Sequence, residues 1–546
     1  MRPRAGGRTG TGALRARLRA GAAGASALLC AACTVGPDYH RPAPPGADSY
    51  VREPLAETAA APVPGGSAQR FDPAGEVPPR WWTGFGSAPL DQLVDRALRC
   101  NPTVDAAAAA LRQAHESGAA QFGAYFPTLQ AGYSASRNRN AVGTLAPTLD
   151  SGTPVYTLHT AQLSVGFVAD VFGSNRRAVE SLAAQEQSQR FQLAAVRLTL
   201  ASNVVAASIQ QAALQAQLGA TEQIVQAERR TLQLLQDQAR LGYAPPLAVA
   251  TQESALAQAE LSLPPLRKQL EQTRDLLAVL AGDLPSQSTP LQVDLEALTL
   301  PQRLPLSVPA QLVEHRPDVR AAEAQVHAAS AQVGLAVANR LPQISISAAY
   351  GGAATGLARM FADDDRFWSI GGSLAQTIFD FGALRHRQRA AEAALDQATA
   401  QYRGVVLAAL QNVADALYAL QSDAAALAAA VSAESAAGRT LELTRRQLEA
   451  GAVNALALLS AEAAYLQARI ARVQAQAARY TDTVALYQAL GGVGAGSEQG
   501  FGVVRADSTG RSGSVRIDTT PAAPDDRGCV NYGECPMDCG PSRSVN

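Results

Sequence analysis

Three groups of side chains in this sequence could do chemistry. His315, Arg316 and Asp318 bring an imidazole, a guanidinium and a carboxylate together, a set that can move protons. Pro317 interrupts that triplet, and no Gly-rich phosphate loop or metal-binding Asp motif accompanies it. Capping and bracing of a helix start explains Arg316 and Asp318 better, since an acid is favoured near a helix N-terminus. Cys529, Cys535 and Cys539 offer thiols, but they lack the paired C-x2-C spacing of a metal site and have no nearby His. Asp363, Asp364 and Asp365 read as a solvated loop rather than a cation site. The 6 His are scattered, with no His-Glu-x-x-His cluster. No nucleophile–base pair emerges, so the sequence predicts no enzyme, no cofactor and no metal.

One further cysteine has a reaction context of its own. Arg2, Arg4, Arg8, Arg15, Arg17 and Arg19 form a basic leader, followed by a small apolar stretch from Ala20 to Ala32 with Leu28 and Leu29 at its centre. Ala31-Ala32-Cys33 closes it. That order reads as an export signal over 1–32, cleaved before a thiol that takes lipid; it is too short for a spanning helix. Cys30 is the other acceptor in reach. Residues 33–80 are rich in Pro, Ala and Gly without periodicity, which predicts an extended, lipid-anchored linker.

The elements that follow are built from few charges (17%) and few aromatics (5%). Ala, Gln and Leu favour helix but make thin, closely packed seams. With 46 Lys+Arg against 47 Asp+Glu, nothing in the charge balance calls for nucleic acid. Cys100 and the three tail cysteines allow three pairings, which sequence does not choose among. No segment of the mature chain has 18 consecutive apolar residues, so no transmembrane helix is predicted.

The chain repeats itself. Asn101-Pro102 and Arg316-Pro317 each open a helical stretch of about 25 residues, closed by Pro127 and Pro342. Asp170-Val171-Phe172-Gly173 matches Phe379-Asp380-Phe381-Gly382. Leu241-Gly242 matches Ala450-Gly451, and Leu280-Ala281-Gly282 matches Leu490-Gly491-Gly492. Between the Pro and Phe-Gly landmarks lie two strand candidates per repeat. Leu129, Ala131, Tyr133 and Ala135 alternate with polar residues, as do Ala161, Leu163, Val165, Phe167 and Ala169. Ile344, Ile346, Ala348 and Tyr350 do the same, and Trp368, Ile370, Leu374 and Ile378 share a face of the last strand. Period two over about ten residues marks barrel strands, apolar outside and polar inside. Gly351-Gly352 reads as a turn.

After each strand pair comes a helix free of Pro, from Ser174 to Arg240 and from Ala383 to Ala450. At 1.5 Å per residue each would run about 100 Å, which demands a coiled-coil seam. Partner helices return over 248–281 and 456–490. Pro264-Pro265 should interrupt the first of these. Four strands cannot close a barrel, and an open sheet would leave two unpaired edges in lipid, so several chains must pool their strands.

At these residues the chain resembles the TolC-like outer membrane efflux proteins, in particular their NodT-type lipoprotein branch. Cys33-Thr34-Val35-Gly36-Pro37-Asp38-Tyr39 with Arg41-Pro42 is similar to the mature start of that branch, which favours Cys33 over Cys30. Trp81-Trp82-x-x-Phe85 is similar to its opening helix. Glu314 to Glu323 is similar to its most specific internal motif, and Arg446 to Gly451 and Leu486 to Gly492 to its last tip and its end. The resemblance implies a mainly α chain with a membrane β-barrel portion, a homotrimer of twelve strands, and a helical tunnel in the periplasm. It implies an outer-membrane location with lipid on Cys33. It implies docking to a periplasmic adaptor joined to an inner-membrane pump, through tips that include Leu241, Gly242, Tyr243, Ala450, Gly451 and Asn454.

Relatives of that kind place acids just past the tip glycines. Here Ala248, Ala457 and Val453 hold such positions, which implies an apolar tunnel constriction at Leu247, Val453 and Leu456. The expected organisation is a signal (1–32), linker (33–80), first repeat (81–283), connecting equatorial segment (284–310), second repeat (311–492) and Cys-containing tail (493–546). The leading function is passive export of small molecules through this duct. The alternative, a periplasm-spanning scaffold or adaptor without transport, has no need of four alternating strands.

Overall fold

The computed structural model describes residues 35–139, 155–287 and 293–492, apart from 44, 45, 47, 48, 54, 56 and 74. The signal segment, Cys33 and the tail cysteines lie outside them. The chain divides into two compact units, the first of 1–43, 110–190 and 321–404, the second of 44–109, 191–320 and 405–546.

Each repeat opens with a helix that Pro starts. Helix α1 (Ala88–Cys100) is capped by Ser87, whose Oγ accepts from Leu90 N at 3.4 Å. Helix α2 (Pro102–Phe122) follows at once, and Asn101 Oδ1 accepts from Thr103 N at 2.9 Å. Pro suits the first helical position, where its missing N–H would have no partner. Cys100 is disulfide-bonded.

The first unit is a four-stranded antiparallel sheet with helix seams. Its strands are β2 (Thr128–Arg139), β3 (Val155–Ala169), β5 (Gln343–Ala354) and β6 (Arg366–Ala375), in the order β2-β3-β5-β6. Thr128 pairs with Gly166, and Gln343 with Ala375. All four strand–helix junctions therefore lie at one end of the sheet. Ile378, expected on the last strand, falls beyond its end at Ala375. The glycines expected as a turn, Gly351 and Gly352, lie inside β5. A Cβ at Gly351 would stand 2.3 Å from Ala161 O, so a close backbone approach explains the residue, not a turn.

Helices α3 (Ser174–Arg240) and α7 (Pro317–Ala338) pack in this unit along a small-residue seam. Ser181 and Ser188 donate to the carbonyls of Ala328 and Ala321, and Gln332 and Gln325 donate back to the two serines at 2.8 Å. Both pairs repeat at heptad spacing, which lets a seam without bulk hold its register.

The second unit carries the helical hairpins. The remainder of α3 is followed by α4 (Pro246–Leu261) and α5 (Leu263–Leu280). The break expected at Pro264-Pro265 falls at Ser262. Helix α8 (Ala383–Glu449) is followed by α9 (Ala455–Ala489). The two 67-residue helices each contain a stretch apolar enough on average to cross a membrane, although no run of 18 apolar residues exists. Averaging over Ala produces that property.

Trp81, Trp82 and Phe85 are buried in this unit; Trp81 stacks on Tyr487 at 5.2 Å and Phe85 meets Tyr480 at 6.1 Å. The expected linker contributes here. Strand β1 (Arg70–Asp72) pairs parallel with β4 (Arg303–Pro305). The fully buried Arg479 donates to Thr58 Oγ1 at 3.0 Å and to Ser67 O at 2.7 Å. Helix α6 (Pro309–His315) then leads to α7.

Candidate functional site

The register carries one apolar face across all four strands. Ala131, Leu163, Tyr350 and Trp368 form one cross-strand row; Leu129, Val165, Ala348 and Ile370 form the next. Trp368, Ile370 and Leu374 are 73%, 74% and 68% exposed, as a lipid-facing surface would be. On the opposite face Ser345 and Ser373 share a hydroxyl hydrogen bond of 2.7 Å. Among the described residues, β2 and β6 each pair on one side only. Their free edges are ladders of unpaired backbone groups, which hydrocarbon does not tolerate.

The two hairpin tips are built alike. Tyr243 N donates to Gln238 O at 2.8 Å and Gly242 N to Ala239 O at 3.0 Å; Ala452 N donates to Gln447 O at 2.8 Å and Gly451 N to Leu448 O at 3.0 Å. This double bond pattern is the Schellman cap, and it needs a left-handed residue. Gly242 and Gly451 supply it with φ of 82° and 72°. Asn454 caps α9, its Oδ1 accepting from Ala457 N at 3.0 Å. Leu241 and Tyr243 are 72% and 81% exposed; Ala450, Gly451 and Asn454 are exposed as well. Leu247 and Leu456 open onto solvent in the first turns of α4 and α9, and Val453 is half-buried.

Set back from the tips, the helices share polar contacts. Gln252 is fully buried, and its Nε2 donates to Glu228 O at 2.9 Å and to the Glu228 carboxylate at 2.5 Å. Burial pushes the Glu228 carboxyl up from its ordinary value, and the Glu462 carboxylate adds to this. Arg445 Nη2 in turn donates to Glu462 Oε1 at 3.0 Å. Arg469 donates to Gln223 at 2.6 Å and Gln474 to Gln217 at 3.3 Å, which ties α9 to α3 and sets the hairpins side by side.

His315, Arg316 and Asp318 form no catalytic group. The Arg316 side chain grips Asp318 through Nε at 2.8 Å and donates through Nη1 to the carbonyls of Ala489 at 2.8 Å and Ala409 at 3.3 Å. His315 Nδ1 faces Gln311 O within its own helix. Asp363 and Asp365 pair with Arg366 and Arg359. Sequence reasoning missed Arg177, Glu323 and Arg479. Each is an ordinary charged helix residue in the sequence, and partners that define its role sit more than a hundred residues away.

Comparison with known proteins agrees with this architecture. The family described as outer membrane efflux protein matches residues 93–283 and 308–492. The chain is 32% identical over 415 residues to the pyoverdine export outer membrane protein OpmQ of Pseudomonas putida, over 76% of this chain and 88% of that protein. The outer-membrane channel OprN aligns with a TM-score of 0.74 at 29% identity, covering 84% of this chain and 99% of that one. The outer membrane protein VceC from Vibrio cholerae aligns with a TM-score of 0.71 at 26% identity, covering 76% and 99%. With strand hairpins and long helical hairpins in the order of the TolC-like channels, and with both repeats matched, this chain belongs to the outer membrane efflux protein family.

Proposed function

We propose that the chain is one subunit of a homotrimeric, lipid-anchored duct that exports small molecules passively from an inner-membrane pump through the outer membrane. The observation that carries this is the open sheet. Four strands with a continuous apolar face and two free edges cannot rest in lipid alone, and three copies would close a twelve-stranded barrel. The signal at 1–32 would route the chain outward, and Cys33 would take the lipid; Thr34, which is not Asp, favours the outer membrane. The segments 81–283 and 311–492 would act as two repeats of one unit, joined by 284–310, with 493–546 as a tail. The tips around Gly242 and Gly451 would meet a periplasmic adaptor, and Leu247, Val453 and Leu456 would close the tunnel. The pump, not the duct, would select the cargo.

Purified full-length protein in a planar bilayer tests the duct. Discrete conductance steps are expected, together with a trimer by mass. A protein that gives no steps and stays monomeric in detergent would sink the reading in favour of a scaffold. Palmitate labelling lost in Cys33→Ala tests the anchor separately.

A further inference from the structure

We propose that each seam between copies of the sheet binds the phosphorylated head of lipid A, through Arg359 and Arg366 of one copy and Arg137 and Arg139 of the next. The proposal rests on the trimeric barrel proposed above and adds a ligand at its outer rim.

The register fixes where these arginines stand. Arg366 closes the cross-strand row of Tyr133, Ala161 and Gly352, on the face that carries Tyr350 and Trp368. Arg137 and Arg139 stand four and six residues past Tyr133 on that same outward face, because alternate strand residues share a side. The eight residues from Leu374 back to Arg366 span about 27 Å along β6, or about 20 Å of height at the usual tilt of such strands. Arg366 therefore stands near the top of an apolar band, which is about 25 Å tall in outer-membrane barrels, and Arg137 and Arg139 stand beyond it. The helices leave from the opposite end of the sheet, which in the proposed duct faces the periplasm. The arginines then lie in the outer leaflet, whose lipid A carries phosphates on a sugar head above its acyl chains.

Sheet order brings the two pairs together. Among the described residues, β2 and β6 are the edge strands. At the end of the sheet away from the helices, β6 begins with Arg366 and β2 finishes with Arg139. When β6 of one copy meets β2 of the next, the pairing is antiparallel, and both pairs of arginines fall at the same end and on the same face. Arg137 and Arg139 are exposed, and among the described residues neither pairs with a carboxylate.

The loop from β5 to β6 supplies the rest. It folds onto the outward face, where Met360 is buried and its carbonyl oxygen leaves no room for a Cβ at Gly352. Leu357 and Phe361, on either side of Met360, are 60% and 58% exposed and would meet acyl chains. Arg366 Nε donates to Phe361 O at 3.0 Å, which fixes the guanidinium beside them. Asp363 lies 3.2 Å from Arg366 Nη1, and Asp365 lies 3.6 Å from Arg359 Nε. Such surface pairs are weak, and a phosphate takes the guanidinium fork better. The four arginines outnumber Asp363, Asp364 and Asp365, the acids of this loop, so the seam favours an anion.

Native mass spectrometry of the full-length protein in detergent tests this, in a chelating buffer so that no divalent cation bridges phosphate to Asp364. Bisphosphorylated lipid A should be retained at up to one molecule per seam, and its dephosphorylated form severalfold less. Arg137→Gln with Arg139→Gln, or Arg359→Gln with Arg366→Gln, should each remove most of that preference, since a seam draws on both copies. Leu357→Ser with Phe361→Ser should lower retention of both lipids and keep the preference. Equal retention of the two lipids by the parent, or a preference that survives either arginine pair, would overturn the site. Displacement of lipid A by excess inorganic phosphate would do so too, by showing a free-anion site. If the loop variant fails to assemble, the β2 pair, exposed and outside the loop, still decides. The same spectra count subunits. A chain that never forms the trimer would defeat the duct reading and the seam with it; a trimer indifferent to phosphate would defeat the seam alone.

Discussion

Asp170 and Asp380 do the same work in the two repeats, each turning its carboxylate onto the exposed backbone amides at the start of a 67-residue helix. Asp170 accepts from Asn175 N at 2.9 Å and Arg176 N at 2.8 Å; Asp380 accepts from Leu384 N at 2.7 Å and Gly382 N at 2.9 Å. Loss of such a cap, as in Asp170→Ala, should cost about 1 kcal/mol. At Asp380 the Leu384 amide, helped by Gly382 and Ala383, holds the carboxyl below its ordinary value. A depressed acid stabilises the fold above its unfolded pKa and stops doing so as pH falls through its folded pKa. Asp380→Ala should therefore melt below the parent at neutral pH, and the gap should close in strong acid. A gap that is independent of pH would refute this.

Arg316 joins the start of α7 to the end of α9 and to α8. Removing it leaves the Ala489 and Ala409 carbonyls without their charged donor. Arg316→Ala should cost roughly 1.5–3 kcal/mol, the range for hydrogen bonds to charged groups. Arg316→Lys should recover only part, because an ammonium lacks the fork that reaches Asp318 and two carbonyls together. Thermal melts of detergent-solubilised protein give the order; a Lys variant equal to the parent would contradict it.

How much of this was legible in the sequence follows from the range of each interaction. Period two between Thr128 and Ala169 and the Pro-free stretches after Gly173 and Gly382 are local patterns, and the strands and long helices follow them. The repeat made the sheet legible as two hairpins. The pairing of β3 with β5, which sets Leu163 against Tyr350, joins residues far apart in sequence and had no signal of its own. Gly351 and Gly352 misled because the sequence shows a missing side chain without showing the neighbour that requires its absence. At the tips, spacing to Gly242 and Gly451 sufficed, since a Schellman cap is local. The docking of 35–72 was hidden, because Pro, Ala and Gly carry no period and the partners Arg177 and Arg479 belong to helices whose faces only packing reveals.

Asp482 faces Asp423 within the second unit. Burial, then the hydrogen bond that protonated Asp482 donates to Asp423 and the charge of Asp423, push the Asp482 carboxyl up to about 7. An acid with a raised folded pKa binds its proton more tightly in the folded state. Its contribution to stability is full at acid pH and is lost as pH rises from the ordinary carboxylate value, near 3.8, through about 7. Melting temperature should fall across that window and level off above it. Asp482→Asn should flatten the profile and raise the melting temperature at pH 8. A parent profile that rises from pH 5 to pH 7 in step with the variant would count against the pair.

The tips should be contact points. Tyr243 and Asn454 are exposed one and three residues past the tip glycines. Photocrosslinkers there should capture a periplasmic adaptor in intact cells, while one at the exposed Leu407 in α8, far from either tip, should not. Asn454 also caps α9 through its side chain, whereas Tyr243 holds its turn through its backbone N–H, so a Tyr243 probe is the cleaner test. Failure of both tip probes under conditions where export proceeds would remove the tips from the interface.

The constriction should respond to charge in a way its residues dictate. Leu247 and Leu456 are exposed in the first turns after the tips, and in the proposed duct Ala248 and Ala457 would hold positions where an acid would face a narrowing lumen. An aperture without carboxylates has no means of concentrating cations, because the focusing of field lines in a narrow cleft depends on the sign of the charges lining it. Trivalent cations added from the periplasmic side should leave the conductance of the parent channel unchanged. Ala248→Asp with Ala457→Asp, repeated around a trimer, would line the aperture with six carboxylates. It should then block at cation concentrations at least ~10-fold lower, within the range by which lined clefts raise local ion concentration. Leu247→Ser offers the complementary change: it weakens apolar closure without adding charge, so basal conductance should rise while cations still fail to block. A parent channel that trivalent cations close would show that acids elsewhere reach the aperture and that apolar packing is not what shuts it.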